Sequence, residues 1–444
     1  MLDRFLFQKI DNSSLVLFRI FLGILIALEG FGAIATGWVR QTLVEPDFTF
    51  HFIGFDWLQP LPGYGMYFYF AIMGVLGIFI SLGYRYRLSM ICFALMWWAV
   101  YLMQKTSYNN HYYLLALVSS IMCFLPAHRA YSLDARRRPE WRTDAMFAYV
   151  KWVVVLQLFI VYTYAAIAKL YGDWLNFTFL EILLESKSAY PVVGGLFEIG
   201  WFQKFIGISG FLFDLLVIPA LLWKPTRNFA FACSIFFHLF NSLVFQIGIF
   251  PYMALAFTVF FYEADTLQRI FLKRKTLYKP VFVKPPQYKK PLLVIAGVYF
   301  MVQLLLPLRH HFIEGDVLWT EEGHRLSWRM MLRNRSGNVN FKVVHKTGQK
   351  TEYINLRNYL TKKQRLKIAA FPDFIWQFAQ HLKKIYNQKG FEVEVYADSR
   401  VSINGRPPSP LIDNKIDLSS VAWDPLHHHR WILPAPWESE ESKD

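Results

Sequence analysis

Long apolar runs, separated by short basic loops, fill the first two thirds of the chain. A membrane-spanning helix needs about 20 mostly apolar residues. Runs of that size fall at 15–37, 64–83, 88–104, 147–170, 204–222, 229–247 and 291–308. Two shorter runs, 112–126 and 248–262, lie beside the polar motifs YNNH and FPY and are kept as spans. The pattern predicts a polytopic α-helical membrane domain of about nine transmembrane helices over residues 1–308. MLDRFLFQKIDNSS is not read as a signal peptide, because the apolar run behind it is too long and no small-residue cleavage site follows.

After residue 308 the texture changes. NVNFKVVHKT and FEVEVYADSRVSING alternate apolar and polar positions, as half-buried strands do, and Asn404-Gly405 is a turn signal. Between them, TKKQRLKIAAFPDFIWQFAQHLKKIYNQ reads as one or two amphipathic helices. Residues 309–444 are therefore expected to form a smaller mixed, mainly β extracytoplasmic domain, with the acidic tail WESEESKD frayed.

Composition agrees with a membrane protein. Of 444 residues 55% are hydrophobic without counting Gly, against about 45–50% in soluble domains when Gly is counted. The formal charge of +15 does not indicate a nucleic-acid partner, since many of the basic residues sit in short loops between apolar spans. With the N-terminus inside, the inside loops hold Arg85 and Arg87, then Arg129, Arg136, Arg137, Arg138 and Arg142. Lys224, Arg227 and the basic segment 263–290 follow the same rule. The outside loops are poorer in Lys and Arg, and an odd number of spans puts the C-terminal domain outside. Cys92, Cys123 and Cys233 show neither metal-ligand spacing nor a disulfide framework and read as small packing residues.

Polar residues inside spans are costly and mark candidate sites. Asn109, Asn110 and His111 open the fourth span at its outer end, and Lys169 closes the fifth at its outer end. His238 and Asn241, three apart on one helix face, lie in the middle to outer half of the seventh. IGIFPY, 247–252, forms the outer turn after it. Each residue also has a plainer reading. Lys169 alone suits an interfacial anchor, Asn109 and Asn110 suit a helix cap, and His238 suits an interhelical hydrogen bond. Their common depth points instead to a pocket entered from the bilayer and capped by the soluble domain. The His run 427–429 has no shared face and is read as a solvated loop, not a metal site. A desolvated amine is a competent general base, and aromatic and Met-lined surroundings suit a flat apolar substrate. The residues by themselves therefore indicate a base acting on a lipid-soluble, quinone-like molecule.

Five stretches carry a more specific signal: KTSYNNHYYLLAL, QLFIVYTYAAIAKLYGDW, FFHLFNSLVFQIGIFPYMALA, GDVLWTEEGHRLSWRMMLRNR and VSINGRPPSPLIDNKIDLSSVAWDPL. Together they resemble the vitamin K-dependent gamma-glutamyl carboxylases of animals and their bacterial relatives, over about residues 15–434. The resemblance implies two coupled half-reactions. A lysine amine deprotonates vitamin K hydroquinone, whose anion reacts with O2 to give a strongly basic alkoxide and finally the epoxide. That base removes a γ-proton from a peptide glutamate, and the carbanion adds CO2 to give gamma-carboxyglutamate. No metal is implied.

By motif, Lys169 matches the base, and Asn110 and His111 match the pair that contacts the quinone oxygen. Phe250, Met330 and Met331 match apolar residues around the ring system. Trp328, Arg333 and Arg335 fall in the segment associated with the glutamate, Arg333 standing where the resemblance implies a His. His238 and Asn241 lie in a matching motif without an assigned step. The implied partners are a glutamate-containing protein, a quinone and membrane lipid. The expected location is a bacterial inner membrane, with the N-terminus cytoplasmic and the C-terminal domain periplasmic. Two other functions stay open, a quinol epoxidase that does not carboxylate and a non-catalytic quinone-binding membrane protein.

Overall fold

The computed structural model describes residues 2–348 and 350–438. Helices form where the apolar runs lie. They are α1 (Ser13–Ala35), α2 (Gly65–Leu82), α3 (Tyr86–Met103), α4 (Asn110–Phe124), α5 (Ala148–Ile167), α6 (Gly200–Leu222), α7 (Lys224–Phe245), α8 (Phe250–Phe257) and α9 (Lys289–Leu305). Among the described residues, seven helices are long and apolar enough to cross a membrane, with α9 counted through its helical extension to Phe312. The two shorter ones, α4 and α8, stand at the two short runs, so nine is an approximate count.

Helix ends follow local chemistry. Gly83 closes α2 at φ 64°, a left-handed conformation that costs glycine nothing. Pro225 and Pro251 sit in the first turns of α7 and α8, where a missing N–H is harmless. α1 and α2 make the closest approach in the bundle. A Cβ on Gly77 would lie 2.5 Å from the Ala27 nitrogen, and one on Gly30 would lie 2.7 Å from the Gly74 nitrogen. Only small residues let two helix backbones come so near. α9 is the most peripheral span, with only 11% of its apolar window buried. It is fastened to α5 by Tyr299, whose hydroxyl donates to Gln157 at 2.6 Å.

Beyond α9 lie β1 (Arg335–His345), β2 (Thr351–Tyr353), α10 (Lys362–Ile368), α11 (Pro372–Gln388), β3 (Val393–Ile403) and β4 (Ser409–Pro410). The antiparallel sheet has the order β2-β1-β3-β4, and β1 pairs with β3 along all 11 residues. Val339, Phe341 and Val343 of β1, with Val395 and Ala397 of β3, turn one face to Phe374, Phe378 and Leu382 of α11. The predicted helical stretch divides into two because Pro372 starts a new helix and α10 carries its own cap. There the Thr361 hydroxyl accepts from Gln364 N–H while the Gln364 side chain accepts from Thr361 N–H. Asn404 at φ 49° and Gly405 at φ 76° form the expected turn, closed by Arg406 N–H to Ile403 O at 3.0 Å.

The two parts interlock. Phe50, from the segment after α1, is fully buried in the C-terminal core and stacks on Phe374 at 4.7 Å. Trp328 packs into the membrane core and stacks on Tyr113 at 4.8 Å.

Two expectations need correction. His427 is exposed, but His428 and His429 are drawn onto the buried Glu322, with Nδ1–carboxylate distances of 2.6 and 2.7 Å. A buried carboxylate needs donors, and these imidazoles supply them. His429 Nε2 accepts from Asp424 N–H at 2.9 Å, so its Nδ1 is the donor to Glu322. The start of the acidic tail is also anchored. Trp437 Nε1 donates to Asp316 at 3.0 Å, and Glu438 accepts from Asp316 N–H at 2.7 Å. The rest of that tail, from residue 439, lies outside the described residues.

Candidate active site

α5 ends at Ile167, and Lys169 lies in the turn that follows. Its side chain folds back under cover instead of reaching outward. Nζ donates to Ala165 O at 3.1 Å and to Asp214 Oδ2 at 2.5 Å, and stands 5.2 Å from the centre of the Trp174 ring. The Lys169 and Asp214 side chains are only 8% and 9% exposed, so this is an ion pair inside the membrane part.

The pair opens on a cavity of about 720 Å³ between α5, α6 and α7. His111, His238, Asn241, Phe250, Met330 and Met331 also line it. The His111 ring stacks on Phe250 with centroids 3.9 Å apart, and His238 meets the edge of the same ring at 5.8 Å. His238 Nε2 pairs with the Tyr162 hydroxyl at 3.1 Å, while its Nδ1 is buried without a partner among the described residues. Asn241 donates to Phe237 O at 2.8 Å.

Asn110 is next to this cavity in sequence but does not line it. Its amide donates to Arg329 O at 3.0 Å and accepts from the Tyr108 hydroxyl at 2.8 Å. It thus ties the start of α4 to the segment that carries Met330 and Met331. That segment is unusual in its backbone. Leu326, Trp328 and Met331 have φ of 60°, 58° and 50°. Left-handed non-glycine residues cost roughly 1–3 kcal/mol each and persist only where surrounding contacts impose them.

Trp328, Arg333 and Arg335 are also outside the cavity lining. Both arginines pair with the buried Glu321. Arg333 Nη2 is 2.5 Å from Glu321 Oε2, and Arg335 Nη1 is 3.2 Å from Oε1. Arg335 further donates to the Leu318 and Trp319 carbonyls. Arg333 Nη1 contacts His324 Nε2 at 2.8 Å. Burial, together with the arginines around it, pushes His324 well below its usual range. The Nε atoms of Arg329, Arg333 and Arg335 and the Trp328 Nε1 are buried without partners among the described residues.

Two clamps hold the soluble part over this region. Asp373, at the start of α11, accepts from Lys105 at 2.5 Å and from Arg325 at 2.8 and 3.1 Å. Burial raises the Asp373 carboxyl, but the two cations outweigh it and hold it below its usual range. Asp173, just after Lys169, accepts from Arg406 at 2.5 and 2.7 Å and from Asn404 at 2.7 Å. The Asn-Gly turn is thereby tied to the end of α5. Tyr171 adds a hydrogen bond to Leu332 O.

Of the sequence candidates, Lys169, His111, His238, Asn241, Phe250, Met330 and Met331 line the cavity; sequence reading missed Asp214 and Tyr162 in that lining and Glu321 outside it. Asp214 had a signal, a single carboxylate in the apolar run FLFDLLVIPALL. Glu321 lies in a motif already singled out. Tyr162 had none, because it reaches His238 only through the packing of α5 against α7.

The HTTM domain family matches residues 7–266, and the family described as vitamin K-dependent gamma-carboxylase, lumenal domain, matches residues 288–438. No solved structure matches the chain. The two matches in this order are the signature of gamma-glutamyl carboxylase, and the chain belongs to the vitamin K-dependent gamma-carboxylase family.

Proposed function

We propose that this protein oxidises vitamin K hydroquinone with O2 to its epoxide and uses that reaction to add CO2 to a peptide glutamate. Membership of the family carries vitamin K-dependent carboxylase function in general, with the hydroquinone as co-substrate and glutamate-containing proteins as substrates. It also carries membrane integration and a non-cytoplasmic C-terminal domain. The single observation behind the finer reading is the buried Lys169–Asp214 pair beside an apolar cavity.

The cavity suits a flat, apolar quinol. His111, stacked on Phe250, and His238, with a free Nδ1, supply the few polar atoms such a ring needs. The bound hydroquinone supplies, on reaction with O2, the strong base that takes the γ-proton of glutamate. In this reading Lys169 first releases the proton it holds in the pair with Asp214; the freed amine then takes the hydroxyl proton of the quinol and returns to the ammonium. Asp214, 2.5 Å away, stabilises that ammonium and fixes its direction. Met330 and Met331 add apolar surface to the cavity, and an apolar surround keeps water from the glutamate carbanion, which would otherwise be reprotonated.

Arg333 and Arg335 are assigned to the peptide side, with Glu321 holding both guanidinium groups in place. Asn110 is assigned a positioning role through its bond to Arg329 O. We further assign residues 1–308 to the membrane unit and 309–444 to the soluble unit, the latter periplasmic in a bacterial inner membrane with the N-terminus cytoplasmic. The competing reading, epoxidation without carboxylation, draws on the fact that Glu321 already occupies both arginines.

One experiment separates the readings. Purified protein is incubated with reduced vitamin K, labelled bicarbonate and a glutamate-containing peptide. Label in the peptide together with epoxide is the expected result. Epoxide without label would replace carboxylation by the epoxidase reading. Quinone binding with neither product would leave a non-catalytic binder. Lys169→Ala is expected to lose both products at neutral pH, and full activity in that variant would remove Lys169 as the base.

A further inference from the structure

A second cavity, of about 1140 Å³, lies at the opposite ends of the spans from the clamped soluble part. Phe124, the last residue of α4, lines it, whereas Asn110, the first, faces the soluble part. Six arginines surround this cavity: Arg85, Arg87, Arg129, Arg137, Arg138 and Arg142. None of the six is in an ion pair among the described residues. The lining carboxylates are Asp134 and Glu140. Asp134 is already committed, accepting from the backbone N–H groups of Arg85 and Tyr86 at 2.8 Å each.

The other wall of the cavity is apolar. Leu88 in the first turn of α3, Phe124 and Tyr288 before α9 are 56%, 82% and 49% exposed. Basic loops alone satisfy the charge rule for membrane topology. Arg85 and Arg137 lie over the Tyr84 ring and Arg138 over Trp141, contacts that leave their charge unneutralised. The topology rule does not call for six arginines outside any ion pair among the described residues, gathered around one cavity with an apolar wall at the ends of three membrane helices.

We propose that this cavity binds the headgroup of an anionic phospholipid, with the arginines on its phosphate and the exposed apolar wall against its acyl chains. Guanidinium groups match phosphate oxygens bidentately, and basic pockets between transmembrane helices hold anionic headgroups. A zwitterionic lipid adds an ammonium that these cations repel. A soluble anion makes no use of the apolar wall. The site is separate from the Lys169 cavity, so the inference stands whether or not the proposed chemistry does.

The test uses the full chain in detergent and counts bound lipid by native mass spectrometry. Phosphatidylglycerol is compared with phosphatidylcholine of the same acyl chains, and inorganic phosphate is added as a competitor. Phosphatidylglycerol is expected to bind at least about tenfold more tightly than phosphatidylcholine. The triple variant R87Q/R129Q/R142Q is expected to lose at least about tenfold of that affinity. The matched control K273Q/K279Q/K284Q removes exposed charges outside the cavity and is expected to bind as the parent does. Equal binding of the two lipids, or equal loss in both triple variants, overturns the site. Displacement of the lipid by millimolar phosphate makes it a soluble-anion site and overturns the lipid assignment. The comparison of lipids on the unaltered protein decides the matter even if a triple variant fails to fold.

Discussion

Lys169 Nζ lies 2.5 Å from Asp214 Oδ2, and both side chains are more than nine-tenths buried. A carboxylate facing the amine changes what the site can do. It gives the proton-laden lysine a fixed partner in a medium where a lone ammonium would be expensive. Asp214→Asn is therefore expected to lower the rate of epoxide formation about 10²-fold, with bound quinone changed little. Single-turnover epoxide formation and a quinone-binding titration measure the two separately. An unchanged rate would reduce Asp214 to a structural partner.

If the proposed function holds, Arg333 is expected to separate the two half-reactions. Among the described residues it is the less enclosed of the Glu321-bound pair in bonding terms, its side-chain hydrogen bonds going to Glu321 and His324. Arg333→Gln is expected to raise the KM for peptide about tenfold while epoxide formation without peptide stays near normal. Equal loss of both would show that Arg333 supports the cavity and not the peptide.

The triad of Asp373 with Lys105 and Arg325 is a buried ion cluster, and removing one member leaves uncompensated charge. Asp373→Ala is expected to destabilise the protein by about 3–5 kcal/mol. The triple replacement K105M/R325M/D373L is expected to recover most of that loss, since apolar residues of similar size need no partners. Thermal unfolding in detergent compares the three proteins. A loss under about 1 kcal/mol for Asp373→Ala would mean the cluster is wet.

The Asp173–Arg406 clamp gives a pH dependence. Burial raises the Asp173 carboxyl, but Arg406 and Asn404 outweigh it, and the net shift is downward from 3.8. A depressed acid stabilises the folded state above its unfolded pKa and stops doing so as pH falls through the folded one. The parent is expected to exceed Asp173→Asn by about 1 kcal/mol at pH 6, and the gap is expected to close below about pH 4. Melting curves across that range test this, and a constant gap would contradict it.

The α1–α2 contact predicts sensitivity at Gly77. A methyl there meets the Ala27 backbone at 2.5 Å, so the helices must part. Gly77→Val is expected to destabilise the bundle by about 1–3 kcal/mol, whereas Gly210→Ala, with open space at its Cβ, is expected to be near neutral. Equal stability of the two variants would show that the helices slide freely.

The spans, the strand pairs and the Asn-Gly turn were legible because each depends on local periodicity or on one dipeptide's conformational preference. Lys169, His111, His238 and Asn241 were legible for a related reason, since polar atoms in an apolar run announce themselves. Hydropathy alone did not say where those polar atoms point. That Asn110 bonds Arg329 O, for example, could not be read from hydropathy. His428 and His429 were expected in solvent and instead converge on Glu322.

The sequence by itself determined the membrane helices, the change to a sheet-bearing C-terminal part and the family. Tertiary structure alone decided which carboxylate meets which cation: Asp214 with Lys169, Glu321 with Arg333, Asp373 with Lys105 and Asp173 with Arg406. Those partners are 12 to 268 residues apart in the chain. No periodicity links positions so distant. Their pairing follows from packing, which buries each charge only where an opposite charge is already held.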